Sequence, residues 1–229
     1  MKILVCISKA PDTTTKIAFT DGDTKFDENG VKYIVNPYDE WYALVRGLEL
    51  KEANGGTVTT VTVGTSEDDA TIDTSAVDAF QVASEIANFA KDGGYDLILL
   101  GKETIDYNGS QVGGMLAEHL DIPFISLASK LDVNGTTATL DKEIIGGVQT
   151  VEANLPLVVS CAKGMAEQRI PNMRGIMAAR SKPLKVVESS NPSKNTTFEK
   201  YALPAPKSEV KLIDPEDMDK LVELLHNEA

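Results

Sequence analysis

A chain of 229 residues and 24.6 kDa, 42% apolar and 25% charged, is long enough to bury a core of its own without disulfides or metals to brace it. Its longest apolar runs, such as Leu97 to Leu100, are far too short to cross a bilayer. Twenty-two Lys and Arg against 35 Asp and Glu give a net charge of -13, which repels phosphate backbones and anionic lipid and excludes nucleic acid and membrane as expected partners.

The chain opens on Ile3, Leu4, Val5, Cys6 and Ile7, an apolar run of the kind buried on both faces of a parallel sheet. No basic leader or apolar signal segment precedes it, so an intracellular location is expected. A Thr-rich loop and an acidic, turn-rich stretch lead to Tyr33, Ile34 and Val35. A helix is predicted from Asp39, its cap, with Trp41, Leu44, Val45 and Leu48 on one face and Gly55-Gly56 as its stop. Residues 57–63, rich in β-branched side chains, read as a strand. A second helix carries Val77, Phe80, Ala83, Ile86, Ala87 and Ala90 at helical spacing. Residues 96–101 form a buried strand, residues 110–120 a third helix and residues 123–127 another strand. This alternation predicts an α/β fold, a mostly parallel sheet with helices on both faces.

The pattern then changes to hairpins over about residues 130–153, turning at Asn134-Gly135 and Gly146-Gly147, before residues 155–161 return to the core. Residues 1–187 are read as one α/β domain and 188–229 as an extended C-terminal arm, too poor in apolar residues to form a core. The arm ends in a helix with Asp214 at its cap, Pro215 at its first position and an apolar face of Leu221, Val222, Leu224 and Leu225.

Two histidines, His119 and His226, and two isolated cysteines, Cys6 and Cys161, leave little for a triad or a zinc site, so neither catalytic nor metal-ligating residues are expected. In an open parallel sheet, ligands bind where strands end and loops diverge. Three such ends stand out. The first is Cys6-Ile7-Ser8-Lys9. The second is Val35-Asn36-Pro37-Tyr38-Asp39, where Pro37 fixes the chain and the Asn36 amide is expected free to bond a base edge or ribose. The third runs from Gly101 to Gly114, where Gly109, Gly113 and Gly114 keep side chains away from the amides around Ser110 and Gln111, which suits either a cradle for a phosphate or a plain helix cap. It has neither the Lys of a P-loop nor full dinucleotide-fold spacing. Residues 163–185 hold Lys163, Arg169, Arg174, Arg180, Lys182 and Lys185 against Glu167 alone, and read either as a solvated loop that balances the acidic surface or as a docking loop with Met165 as its apolar anchor.

These motifs, colinear over residues 1 to about 187, closely resemble the beta subunit of electron-transferring flavoprotein: the opening residues 2–12, Val35-Asn36-Pro37-Tyr38-Asp39-Glu40, residues 96–114, Gly146-Gly147 and residues 169–183. The resemblance implies a Rossmann-like, adenine nucleotide alpha-hydrolase-like fold. It also implies a heterodimer whose alpha subunit holds most of an FAD, fed by acyl-CoA dehydrogenase-type donors and drained by a quinone reductase. The beta subunit binds AMP; by position the site is Cys6, Asn36, Pro37, Tyr38, Asp39, Val63, Gly101, Asp106, Asn108, Gly109, Ser110, Gln111 and Val112. Partner recognition falls on Lys163, Met165, Arg169 and Arg174, within residues 160–182.

Bacterial cytoplasm is implied, or the mitochondrial matrix if the source is eukaryotic. Ser110-Gln111-Val112-Gly113 stands where AMP-binding members carry Asn-Gln-Thr-Gly, and Gln-Val-Gly is closer to the electron-bifurcating branch, in which a second FAD replaces AMP. Thr13 stands where some members place an aromatic ring near the flavin. A nucleotide-binding regulatory protein of similar fold is the reading from another class. After Ile72 the family continues through a further helix and strand, whereas here Asp73 follows at once, a shortfall of about a dozen or more residues that reads as an omitted segment.

Overall fold

In the computed structural model, described over residues 1–37, 39–64, 77–105, 108–190, 192–207 and 209–228, the chain forms β1 (Lys2–Cys6), β2 (Lys9–Pro11), β3 (Phe19–Thr20), β4 (Lys25–Phe26) and β5 (Tyr33–Val35). It continues through α1 (Asp39–Asn54), β6 (Thr57–Val61), α2 (Ala79–Ala90), β7 (Leu97–Gly101) and α3 (Val112–Leu120). After β8 (Phe124–Asn134), β9 (Thr137–Ile144), β10 (Gly147–Asn154) and β11 (Leu157–Cys161) come α4 (Met173–Ala179) and α5 (Met218–Asn227). Seven strands make the main sheet in the order β10-β9-β8-β11-β7-β1-β6. The pairs from β8 across to β6 are parallel, and those of β8 with β9 and β9 with β10 are antiparallel. β2 pairs with β5 and β3 with β4 in two small antiparallel ribbons outside it.

The continuous apolar runs of β1, β7 and β11 are buried throughout because helices cover both faces. Ile3, Val5, Leu97, Leu99, Leu157 and Val159 point to one face and pack under α1 through Ala43 and Leu50. Leu4, Ile98, Leu100 and Val158 point to the other and meet Ala83, Ile86 and Ala87 of α2 and Leu116 of α3. Asp78 starts α2 with a reciprocal cap: its carboxylate accepts from Gln81 N–H at 2.8 Å, and the Gln81 side chain reaches back to the Asp78 N–H.

Four sequence expectations are corrected. α1 turns Ala43, Val45, Gly47 and Leu50 inward, while Trp41, Leu44 and Leu48 are only half-buried. Small residues set that face, since a Cβ on Gly47 would come within 3.1 Å of Val5 Cγ2. The strand expected over residues 123–127 does not stop there. Leu127 sits at φ 56 and donates its N–H to Ser160 Oγ at 3.1 Å, and the register shifts between Ala128 and Lys130. That bulge bends β8, so its first half pairs with β11 and its second half opens the hairpins. The last helix is capped by Asp217, which accepts from Lys220 N–H, and Asp214 only closes the preceding turn onto Glu216 N–H.

The fourth correction concerns Met165, expected as an exposed anchor. Its N–H bonds back to Ala162 O at 3.2 Å, and this tight turn folds the side chain under the sheet beside Leu131 and Cys161, where it is 4% exposed. An apolar side chain that gains a full set of neighbours inward is unavailable outward. No described helix is long and apolar enough to cross a membrane. Met165→Ala is predicted to leave a core cavity and to lower unfolding free energy in a urea titration by about 2–5 kcal/mol. Met173→Ala, on the exposed side of α4, is predicted to stay within about 0.5 kcal/mol in the same titration.

Candidate functional site

From β1 the chain crosses by α1 to β6 on one side, then by α2 to β7 on the other, so the loops after β1 and β7 diverge above the carboxyl ends of neighbouring strands. Between them lies a cleft of about 670 Å³, open solvent at its mouth included. Of the residues expected at a nucleotide site, Cys6, Val63, Gly101, Gly109, Ser110, Gln111 and Val112 line it. Tyr38 and Asp106 lie outside the described residues. Lys102, Glu103 and Thr104, within the expected stretch that starts at Gly101, stand on the polar wall; sequence reasoning missed Glu40 beside them and Ala79, Val82 and Ile86 of α2 on the apolar wall. Glu40 directly follows the expected Asp39 at the helix start, which was the available signal.

Asn36 is corrected from a free ligand group to an internal clamp. It has no exposed surface; its Nδ2 donates to Glu103 O at 3.0 Å and its Oδ1 accepts from Ile105 N–H at 3.1 Å. Its own N–H donates to Ser8 O at 3.0 Å. Both ends of the side-chain amide are therefore used in holding the loop after β7. Pro37, Asp39 and Asn108 likewise do not line the cleft. Asp39 starts α1 behind it, and burial pushes its carboxyl up to about 6, with Lys102 pulling down and Glu103 and Glu143 pushing up.

Next along α1, the Glu40 carboxylate accepts from Ser8 N–H at 2.6 Å and from Ser8 Oγ–H at 2.7 Å, binding the loop after β1. This needs α1 to begin directly over the end of β7. Gly101 permits it, because a Cβ there would lie 2.8 Å from Glu40 Cγ and 3.0 Å from Glu40 N. Cys6 below is buried and its thiol is pushed up, by burial first and by Glu40 second, so it is no thiolate nucleophile. Among the described residues no group of His, Cys, Asp and Glu is placed to hold a metal ion.

The far rim is a turn of unusual backbone. Asn108 at φ 48 and Ser110 at φ 51 flank Gly109 in the left-handed region, which side chains beyond glycine rarely adopt. α3 follows with Gln111 at its cap and no side-chain hydrogen bond to its first-turn amides. Ser110 Oγ donates to Glu103 Oε2 at 3.1 Å. Thr104 Oγ1, on the cleft wall, is buried and has no hydrogen-bond partner among the described residues. Gly113 was expected to leave room for a ligand. It lines the cleft, and it also leaves room for the Phe124 ring, which a Cβ would approach within 2.8 Å.

The basic stretch lies apart from the cleft. Arg169 forks onto Glu52 of α1 at 2.9 and 3.0 Å and approaches Glu49 at 3.7 Å, which ties the segment down. Lys163 and Arg174 are exposed. Asn172 caps the short α4 by accepting from Gly175 N–H at 2.8 Å. Ile170 is 89% exposed and Met173 73%, so the segment presents apolar groups that Met165 does not.

A family model described as the electron transfer flavoprotein domain matches residues 23–192. The electron transfer flavoprotein subunit beta of Bacillus subtilis (strain 168) is 34% identical over 258 residues, covering 100% of this chain and 99% of its own length. That of Syntrophomonas wolfei is 31% identical over 248 residues, covering 99% of this chain and 96% of its own length. The mitochondrial subunit beta of Oryza sativa subsp. indica is 30% identical over 251 residues, covering 100% and 99%. The 258-residue alignment exceeds the 229 residues of this chain, and the junction after Ile72 lies outside the described residues. With a family match over most of its length and relatives of one kind along all of it, this chain belongs to the electron transfer flavoprotein family, among the beta subunits.

Proposed function

We propose that this chain is one half of a heterodimeric electron carrier, acting in a bacterial cytoplasm or a mitochondrial matrix. Its partner, the alpha subunit, holds most of an FAD that takes electrons from acyl-CoA dehydrogenase-type flavoenzymes and delivers them to a quinone reductase. This chain makes no bonds itself; it shapes the flavin's surroundings and binds AMP in the cleft. The bound FAD supplies the electron chemistry, and AMP is a structural ligand.

The observation that carries the nucleotide reading is the buried Thr104 hydroxyl, without a partner among the described residues, on a cleft lined also by Gly109 and Ser110 of the turn 108–110 and by the start of α3, whose first turn has no side-chain cap. A buried hydroxyl left without a partner costs about 1–3 kcal/mol, so the site fits a ligand with polar groups of its own. Val82 and Ile86 give the opposite wall an apolar surface suited to a flat base. Asn36 braces Glu103 and Ile105 beside the site, and Glu40 braces Ser8.

The donor-facing surface is the segment of residues 163–177. Arg169 fixes it to α1, and Ile170, Met173 and Met177 stand out from it beside Lys163 and Arg174. Apolar groups ringed by cations on an otherwise acidic chain form a docking patch for an acidic partner.

Denaturing the purified heterodimer and identifying what it releases tests the cofactors: one FAD and one AMP are expected. Two FADs would place the chain in the bifurcating branch, and adenine nucleotide without any flavin would sink the electron-carrier reading. For docking, Ile170→Asp is predicted to slow reduction of the carrier by its dehydrogenase by about tenfold, with flavin content unchanged. Stopped-flow bleaching of the flavin reads that rate, and equal rates for both forms would remove residues 163–177 from the docking surface.

A further inference from the structure

We propose that the nucleotide cleft and the C-terminal arm are linked through α2, so that a nucleotide in the cleft tightens the arm's hold on Asp78 and Glu85, and the seated arm in turn tightens the nucleotide. The inference rests on the reading of the cleft as an adenine-nucleotide site and goes beyond it to what else in the chain responds to the ligand.

The link begins at one carboxylate. Asp78 Oδ1 accepts from Gln81 N–H at 2.8 Å and so caps the first turn of α2, while Oδ2 accepts from Asn195 N–H at 2.6 Å and Thr196 N–H at 2.9 Å of the arm. One side chain therefore serves the helix start and the arm together. The next residue, Ala79, lines the cleft, and Val82 and Ile86 follow it at the spacing that puts side chains along one stripe of a helix.

The attachment is repeated further along α2. Glu85 accepts from Ser190 N–H at 3.0 Å and from the hydroxyls of Ser189 and Ser190, and Asn88 Nδ2 donates to Ser190 Oγ at 2.7 Å. Between these two attachments Pro192 and Ser193 line a crevice with Phe80 and Ser84, so polar bonds hold the arm there in place of close packing. An exposed segment held in that way has two states, seated and released.

Helix ends fray, and the first turn of α2 carries both the cap and part of the cleft wall. When the arm is released, the Asp78 carboxylate loses the Asn195 and Thr196 amides and turns more freely out of its capping position. A frayed first turn takes Ala79 and Val82 off the wall. A nucleotide packed on Ala79 and Val82 selects the ordered turn, and the ordered turn presents Asp78 where the arm needs it. Nucleotide and arm favour the same state of α2, so each strengthens the other by one and the same factor.

The arm's own amides report its seat. In the full chain freed of co-purified nucleotide, saturating AMP is expected to slow hydrogen exchange at the Asn195 and Thr196 amides about fivefold. The Tyr201 amide, which donates to Asp23 O and not to α2, is expected to change less than about twofold. Conversely, Ser190→Ala combined with Thr196→Pro removes arm donors to α2 without touching the cleft, and is expected to weaken AMP about fivefold in a calorimetric titration. Equal exchange with and without AMP, or equal slowing of all three amides, overturns the link and leaves the nucleotide site standing. Unchanged AMP affinity in a variant whose Asn195 amide exchanges faster does the same. AMP that fails to bind the unaltered chain overturns the nucleotide reading, and the link with it. The exchange measurement uses no variant, so it decides the outcome even where the variant melts early.

Discussion

Asn36, with no exposed surface, joins three segments far apart in the chain: its N–H reaches Ser8 O after β1, and its side-chain amide holds Glu103 O and Ile105 N–H after β7. Leaving any of these groups unpaired in the interior costs about 1–3 kcal/mol each, so the three bonds stand or fall together. What they hold is the mouth of the cleft. With the loop after β7 fixed, Gly101 lies under the start of α1, and only a residue without a Cβ fits there. α1 so placed brings Glu40 within reach of Ser8, which fixes the loop after β1 in turn. The described loops that line the cleft brace one another.

The same bracing explains where charge collects. The start of α1 brings Asp39 and Glu40 to one corner and the loop after β7 brings Glu103, with Lys102 the cation among the described residues of the cleft wall. Burial and the neighbouring acids raise the Asp39 carboxyl to about 6, so near neutral pH the corner sits close to taking up a proton. The basic segment answers it at a distance and with different energetics. Arg169 and Glu52 are paired on the surface, where ion pairs contribute about 0–1 kcal/mol, so their fork orients residues 163–177 more than it stabilises the fold. Acidic corner and cationic patch are separate devices on one acidic chain.

Much of this was legible in the residues, and the exceptions share a cause. Continuous apolar runs gave β1, β7 and β11, since only a strand covered on both faces is apolar throughout. Glycine turns gave both hairpins correctly. Periodicity misjudged α1 because it weighs large apolar residues, whereas close approach to the sheet selects Ala43 and Gly47. Met165 and Asn36 were misjudged alike. Each sits in a loop, and a loop residue's direction depends on bonds to distant segments that local pattern does not carry. The left-handed turn at Asn108 and Ser110 is similarly set by its surroundings, because neither residue demands that conformation.

The arm divides where its bonds end. Glu85 accepts from Ser189 and Ser190, and the free oxygen of the Asp78 cap accepts from Asn195 N–H at 2.6 Å and Thr196 N–H at 2.9 Å. Tyr201 then stacks between Phe19 and Phe198, and its N–H donates to Asp23 O at 2.8 Å. Ser189, Ser190, Asn195 and Thr196 are thus held on α2 and its cap, and α2 also walls the cleft through Ala79, Val82 and Ile86, while Tyr201 is held at the β3–β4 ribbon. These bonds are exposed, and each contributes only about 0.5–1.5 kcal/mol net, so they hold the arm in place without locking it there. Beyond Tyr201 the balance changes: Met218, Val222 and Leu225 of α5 stay more than half exposed, and no α5 residue is buried. A helix of ten residues with one apolar face is marginal in water, and packing of that face is what stabilises such helices. The chain therefore anchors the first part of its arm on itself and leaves Met218, Val222 and Leu225 of α5 outward, with Leu221 and Leu224 half-buried.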